Sequence, residues 1–304
     1  MYHVCRLYCI TFTAALLAGC GGNSLTLTTN LPVAATFYPV AFLLEQVGGE
    51  HVSVALITPA GTEPHDFEPT PKDIAAIERS ALLVGNGNGV DGWAEKIAPT
   101  LEASGVRTLF LSNTIAVLPG HGEEGGAAPT HDPHVWLDPN LFAVEADAVR
   151  AALTTIDPPH AEDYKKNADI FILKLKKLDE EYARGLSQCK EHTIVTTHNA
   201  FSYLAKRYGL STDPIAGLSP DEEPSPAAMA AVIEHVRAKK ISTVFFESLV
   251  SSKLAETIAG ETNAGTAVLD PIEGITETNM RAGDDYFVVM RRNLTALRTA
   301  LRCP

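Results

Sequence analysis

The sequence predicts an α/β protein of two lobes, each a mostly parallel sheet flanked by helices, joined by one long rigid linker helix. Three observations point there. From Leu31 onward, short apolar runs alternate with amphipathic stretches, the pattern of strand–helix repeats. A helical periodicity runs from His160 to about Leu186, with no Gly or Pro between Tyr164 and Tyr182, and separates two such series. A chain of 304 residues also exceeds what one hydrophobic core usually organises.

In the first series, Val33 to Phe37, Val52 to Ile57, Ala81 to Gly85 and Arg107 to Leu111 read as strands. Helical patterns lie between them near 39–48, 71–79 and 91–104. Thr70 before Pro71 and Asp91 before a helical run are good starts. A Gly- and His-containing loop (112–133) follows, and Pro139 opens a helix to about Ile156. After Pro158-Pro159, the apolar residues Tyr164, Ala168, Phe171, Leu175, Leu178 and Tyr182 recur at three- and four-residue intervals. The second series has strands at Thr193 to Thr197, near 210–215, at Ile241 to Phe246 and at Ala267 to Leu269. Its helices fall at 200–207, 226–238, 252–262 and 284–302. The expected organisation is a signal segment (1–19), a flexible tether (20–30), an N-terminal lobe (31–157), the linker helix (158–188) and a C-terminal lobe (189–304).

The signal reading rests on a positive start at Arg6, an apolar run from Leu7 to Leu17, and the small-residue context Leu17-Ala18-Gly19-Cys20. That tetrapeptide looks like a bacterial lipobox, which makes Cys20 the expected lipidation site and a membrane anchor. The apolar run is too short for a spanning helix. Cys5 and Cys9 leave with the signal. Cys189 and Cys303 then remain, as a disulfide in an oxidising compartment or as two separate buried thiols.

Lys and Arg number 24 against 37 Asp and Glu, a formal charge of −13. That balance argues against nucleic acid as a partner and is compatible with a cationic ligand. Four places carry candidate chemistry: Pro64 to Pro71, His131 to Pro139, Thr196 to Phe201 and Leu269 to Ile272. Each lies in a loop after a strand, where ligands of α/β sheets bind. Two precede the long helix and two follow it, so they face each other across a cleft. Their histidines and a carboxylate suit the tetrahedral nitrogen and oxygen coordination of zinc, and four protein donors suit retention rather than hydrolysis.

At these residues the chain resembles the metal-type solute-binding proteins of bacterial ABC importers, the zinc/manganese receptor family. The resemblance covers nearly all of residues 32 to 302. It rests on Thr-Phe-Tyr-Pro at 36–39, Pro-His-Asp-Phe-Glu-Pro-Thr-Pro at 64–71, Asp-Pro-His-Val-Trp-Leu-Asp-Pro at 132–139, Thr-His-Asn-Ala-Phe-Ser-Tyr at 197–203 and Phe-Phe-Glu-Ser at 245–248. It implies two lobes with the metal between them, and carries metal ligation onto His65, His134, His198 and Asp270. Manganese-type members place a carboxylate at the third position, where this chain has His198. A nitrogen-rich site favours Zn(II) over Mn(II) as the bound ligand. The implied partners are an ABC permease and its ATPase, with the chain acting as a monomer.

Zinc members often carry a long His- and acid-rich loop, and here only Gly120 to His131 corresponds. That stretch reads as a flexible acidic loop, with metal collection by His121 and His131 as the alternative. Glu63 reads as an exposed loop carboxylate, or as a group reaching the site. Glu247 reads equally as a carboxylate supporting a ligating histidine or as a charge at a helix start. An enzyme is the rival class, but the chain lacks H-E-x-x-H and spreads its donors over both lobes. A manganese receptor and a zinc-dependent surface adhesin are the nearer alternatives.

Overall fold

The computed structural model describes residues 30–120, 131–220 and 224–304. The signal segment, Cys20, the tether up to residue 29 and His121 lie outside the described residues.

Two four-stranded, all-parallel sheets form the two lobes. In the N-terminal lobe, β1 (Leu31–Ala35), β2 (Val52–Leu56), β3 (Leu82–Gly85) and β4 (Arg107–Phe110) take the order β2-β1-β3-β4. Between and after them run α1 (Tyr38–Gly48), α2 (Pro71–Glu78), α3 (Gly92–Ala103) and α4 (Pro139–Ile156). Then comes α5 (Ala161–Leu186). The C-terminal lobe repeats the arrangement as β6-β5-β7-β8, from β5 (Thr193–Thr196), β6 (Ser211–Pro214), β7 (Thr243–Phe246) and β8 (Gly265–Val268). Its helices are α6 (Ser202–Tyr208), α7 (Pro226–Lys239), α8 (Lys253–Thr262), α9 (Glu277–Arg281) and α10 (Tyr286–Ala300).

Local chemistry explains where helices begin. Thr70 and Asp73 form a reciprocal capping box ahead of α2, which satisfies two amide donors that a helix start leaves free. Asp138 caps α4 through the Asn140 amide. Asp285 caps α10 through the Val288 amide, so that helix starts at Tyr286, two residues later than expected. The reading of Asp91 as a cap for α3 is corrected: it makes no side-chain cap bond. Its buried carboxylate turns inward, accepting from Thr36 Oγ1 at 2.6 Å and from the amides of Asn86 at 2.7 Å and Gly87 at 2.8 Å. The short helix α9 was not anticipated. It spans little more than one turn, Glu-Thr-Asn-Met-Arg, with no apolar period, and is specified by its Thr276 cap.

Helix α5 is about 39 Å long at 1.5 Å per residue. One stripe of it is buried: Tyr164, Ala168, Phe171, Leu175, Leu178, Tyr182 and Leu186. Its N-terminal half packs on α4 and α1, and it also packs on α10 of the second lobe. Phe171 meets Phe42 and Phe142 of the first lobe and Phe287 of the second. Tyr182 donates to the Met290 carbonyl at 2.6 Å. The lobes also bond directly. Trp136 Nε1 donates to the Pro271 carbonyl at 2.7 Å, and the Tyr286 hydroxyl donates to the Trp136 carbonyl at 2.7 Å. Cys189 and Cys303 lie at disulfide-bonding distance, 1.92 Å between sulfurs, and tie the segment after α5 to the chain end.

Hinge closure needs a few residues that absorb large backbone changes. A packed helix and a core shared by both lobes provide none without breaking hydrogen bonds. Small-angle scattering of the metal-free and metal-loaded protein is therefore expected to give the same radius of gyration to within about 0.5 Å of the ~20 Å expected from chain length. A contraction of several ångströms on loading would refute this.

One interior group stands apart from the site. Glu145, on α4, is 1% exposed and its Oε1 has no hydrogen-bond partner. Burial pushes its carboxyl up to about 8. The folded protein keeps the proton up to that pH, whereas the unfolded chain releases it near the ordinary value. Stability contributed by a protonated Glu145 is thus lost as pH rises, by up to about 1.4 kcal/mol per pH unit across that window. Glu145→Gln should match the parent near pH 4.5 and exceed it by ~2–4 kcal/mol at pH 7.5. Urea unfolding at both pH values checks this, and an equal gain at both would refute it.

Candidate metal centre

The site lies where the strand ends of the two lobes meet. His65 is in the loop between β2 and α2, and His134 lies between β4 and α4. His198 follows β5, and Glu273 follows β8. The side chains of His134, His198 and Glu273 are buried, and that of His65 is 8% exposed.

The four side chains offer ligand atoms that all lie within 4.8 Å of one another. Three Nε2 atoms converge on Glu273 Oε1: His134 at 2.9 Å, His65 at 3.2 Å and His198 at 3.5 Å. The Nε2 atoms of His134 and His198 are 3.3 Å apart. Two of the rings are held from behind. His134 Nδ1 is 2.8 Å from Asp132 Oδ1, which also accepts from the His134 amide at 2.9 Å. His198 Nδ1 is 2.6 Å from Glu247 Oε1, which accepts from the Thr197 hydroxyl as well. A carboxylate that takes the Nδ1 proton fixes the ring's tautomer and turns the Nε2 lone pair into the site.

The electrostatics are those of a site that attracts cations. Burial works against charging His134 and His198, but the carboxylates around them prevail. Asp132 and Glu273 raise His134, and Glu247 with Glu273 raises His198 well above the ordinary value. Burial likewise opposes the Glu273 carboxylate, yet hydrogen bonds from His134, His198 and His65 hold it well below the usual range.

Of the sequence-derived candidates, His65, His134 and His198 come together, but Asp270 does not join them; Glu273 stands in its place. Asp270 Oδ1 accepts from the Ile272 amide at 2.7 Å and its Oδ2 from Ser248 Oγ at 2.5 Å. Between the two acids Ile272 takes φ +61°, and only Glu273 meets the imidazoles. Both lie in the strand-end stretch Asp-Pro-Ile-Glu-Gly, and no periodicity tells which one points inward. Glu63 is not an exposed loop residue. It accepts from the His65 amide at 3.2 Å, and burial, then the charge of Glu273, raises its pKa. Glu247 is buried against His198 and caps no helix. Asp132, two residues before His134 in Asp-Pro-His, supports that ring and went unassigned in the sequence. His131 bridges to Pro119 in a short antiparallel contact.

The chain matches the family ZnuA, zinc-uptake complex component A, periplasmic, over residues 33–300. It belongs to that family. The zinc-binding lipoprotein AdcA of Streptococcus pneumoniae is 40% identical over 294 residues, covering 94% of this chain and 58% of the relative. This chain therefore spans little more than half the length of AdcA. The high-affinity zinc uptake system protein ZnuA of Bacillus subtilis is 36% identical, with 97% of each chain covered. Among solved structures, the Zn(II)-bound ZnuA-like domain of S. pneumoniae AdcA matches with TM-score 0.79 and 40% identity, over 90% of this chain and 99% of that one. The laminin-binding protein Lmb of Streptococcus agalactiae, described as a bifunctional protein with adhesin and metal transporting activity, matches with TM-score 0.80 and 33% identity, over 90% and 100%. The likeness to a ZnuA-like domain spans both lobes and the helix between them.

Proposed function

We propose that this family member is the extracytoplasmic receptor of an ABC importer, which captures Zn(II) in the cleft between its lobes and delivers it to a membrane permease driven by its ATPase. The observation that carries the reading is the convergence of three imidazole Nε2 atoms and the Glu273 carboxylate in a buried site. Three nitrogens and one oxygen form a donor set suited to zinc, whereas manganese prefers oxygen. His65, His134, His198 and Glu273 are the proposed ligands, with Asp132 and Glu247 holding two of the rings. Four protein donors complete a tetrahedron and leave no position for an activated water, so the site is proposed to retain its ion rather than catalyse. The relatives named as zinc-binding and zinc-uptake proteins support the same cargo. Lipid on Cys20 would tether the chain to the membrane as a monomer within reach of the permease.

Mass spectrometry of the protein loaded with an equimolar mixture of zinc and manganese tests cargo and stoichiometry together. One zinc and almost no manganese per chain is expected. Two ions per chain, or manganese in excess, would overturn the assignment.

A further inference from the structure

We propose that Asp270 is a positioning residue, which locks the backbone turn that aims Glu273 at the three imidazoles. The inference rests on the reading of Glu273 as a zinc ligand. It starts from Ile272, the residue immediately before Glu273, which is fully buried and sits at φ +61°. A β-branched side chain disfavours that left-handed region, so the turn persists only where its surroundings enforce it.

Asp270 is the centre of that enforcement. Its Oδ1 takes the Ile272 amide at 2.7 Å, and its Oδ2 takes the Ser248 hydroxyl at 2.5 Å. Its own backbone is gripped at both polar atoms by Asn293, a buried residue of α10. The Asp270 amide donates to Asn293 Oδ1 at 2.9 Å, and Asn293 Nδ2 donates to the Asp270 carbonyl at 2.7 Å. Pro271 is fixed by Trp136 from the other lobe. Beyond Glu273, Gly274 fits tightly under the N-terminal lobe: a Cβ there would lie 3.3 Å from the Thr62 carbonyl and 3.1 Å from Leu249.

The turn needs holding because there is room beside it. A recess of about 250 Å³ borders it, walled by Asp270, Gly274, Ile275, Ser248 and Asn293. Without the carboxylate of Asp270, the Ile272 amide loses its acceptor and the strained turn can relax towards that space. Glu273 would then withdraw from the imidazoles, although every ligating side chain remains in the sequence.

Zinc dissociation into a chelator, followed by stopped flow, tests this, together with the visible spectrum of the Co(II)-substituted protein. Asp270→Ala is expected to release zinc at least tenfold faster. Asp270→Asn keeps an oxygen for the Ile272 amide and an NH2 for Ser248, and should restore most of the slow release. That rescue also separates positioning from a charge effect, since both substitutions remove the same charge. Glu273→Ala should change the tetrahedral Co(II) bands outright, whereas Asp270→Asn should keep the parent spectrum. A parental dissociation rate in Asp270→Ala overturns the positioning role while leaving the ligand assignment intact. An Asp270→Asn protein that loses the Co(II) bands as Glu273→Ala does would also overturn it, in favour of direct ligation. Unchanged bands in Glu273→Ala would instead overturn the reading on which the proposal rests.

Discussion

Replacing His198 with alanine is expected to lower zinc affinity by at least 100-fold, a loss of about 2.7 kcal/mol. His134→Ala should do the same. Each removes a nitrogen from the centre of the cluster and leaves a buried carboxylate, Glu247 or Asp132, without the ring it holds. That second loss adds to the first, because each buried carboxylate keeps only one donor, the His134 amide for Asp132 and the Thr197 hydroxyl for Glu247. Glu247→Gln should be milder, on the order of 10-fold, since partners behind a ligand typically contribute 10–100-fold. His65→Ala should fall between these values: its ring reaches Glu273 but is partly exposed, and water can fill the gap. Competition titration against a chelator of known affinity ranks the four variants. An unchanged affinity in His198→Ala would remove the proposed centre altogether.

That ranking depends on which parts of the site are legible in the sequence. The three histidines are, because each follows a β-strand and opens onto a helix, and the strand ends of parallel sheets converge by construction. The long helix is legible for a similar reason: its stripe from Tyr164 to Tyr182 repeats every three or four residues, and all six of those residues are buried. The proposed fourth ligand is not legible in that way. Asp270 and Glu273 are separated by one proline and one isoleucine, and their directions are decided by a single positive φ at Ile272. Sequence favours glycine or asparagine for such a conformation, so isoleucine hides it. Asp91 shows the same limit. Its position before α3 invites a capping role, but a buried loop of glycine and asparagine amides competes for the carboxylate and takes it. Local patterns predict elements well and predict the aim of a side chain poorly, because the aim depends on loop backbone geometry and on distant partners such as Thr36 for Asp91 and Ser248 for Asp270.

Zinc binding should be steeply dependent on pH, because protons and the ion compete for the same nitrogens. His134 and His198 have raised pKa values in the metal-free protein, held up by Asp132, Glu247 and Glu273 against the effect of burial. Zinc must displace the proton from each imidazole that is charged in the empty site. Glu273 is held below the usual range and stays ionised, so it adds no further proton to displace. Each proton displaced makes the dissociation constant fall by up to ~10-fold per unit rise in pH, until the imidazoles lose their protons unaided. The stability of the metal-free protein moves the other way. A histidine whose folded pKa is raised contributes stability that is complete below the unfolded value of about 6.5 and is lost as pH climbs through the folded value. The thermal shift on adding zinc should therefore widen between pH 6 and 8, as the empty form loses this support while the loaded form gains affinity. Calorimetry in two buffers of different ionisation enthalpy counts the protons released, with a net release expected that declines as pH rises. Release of none, with a dissociation constant flat from pH 6 to 8, would mean that the imidazoles are already neutral and that the surrounding carboxylates do not charge the empty site.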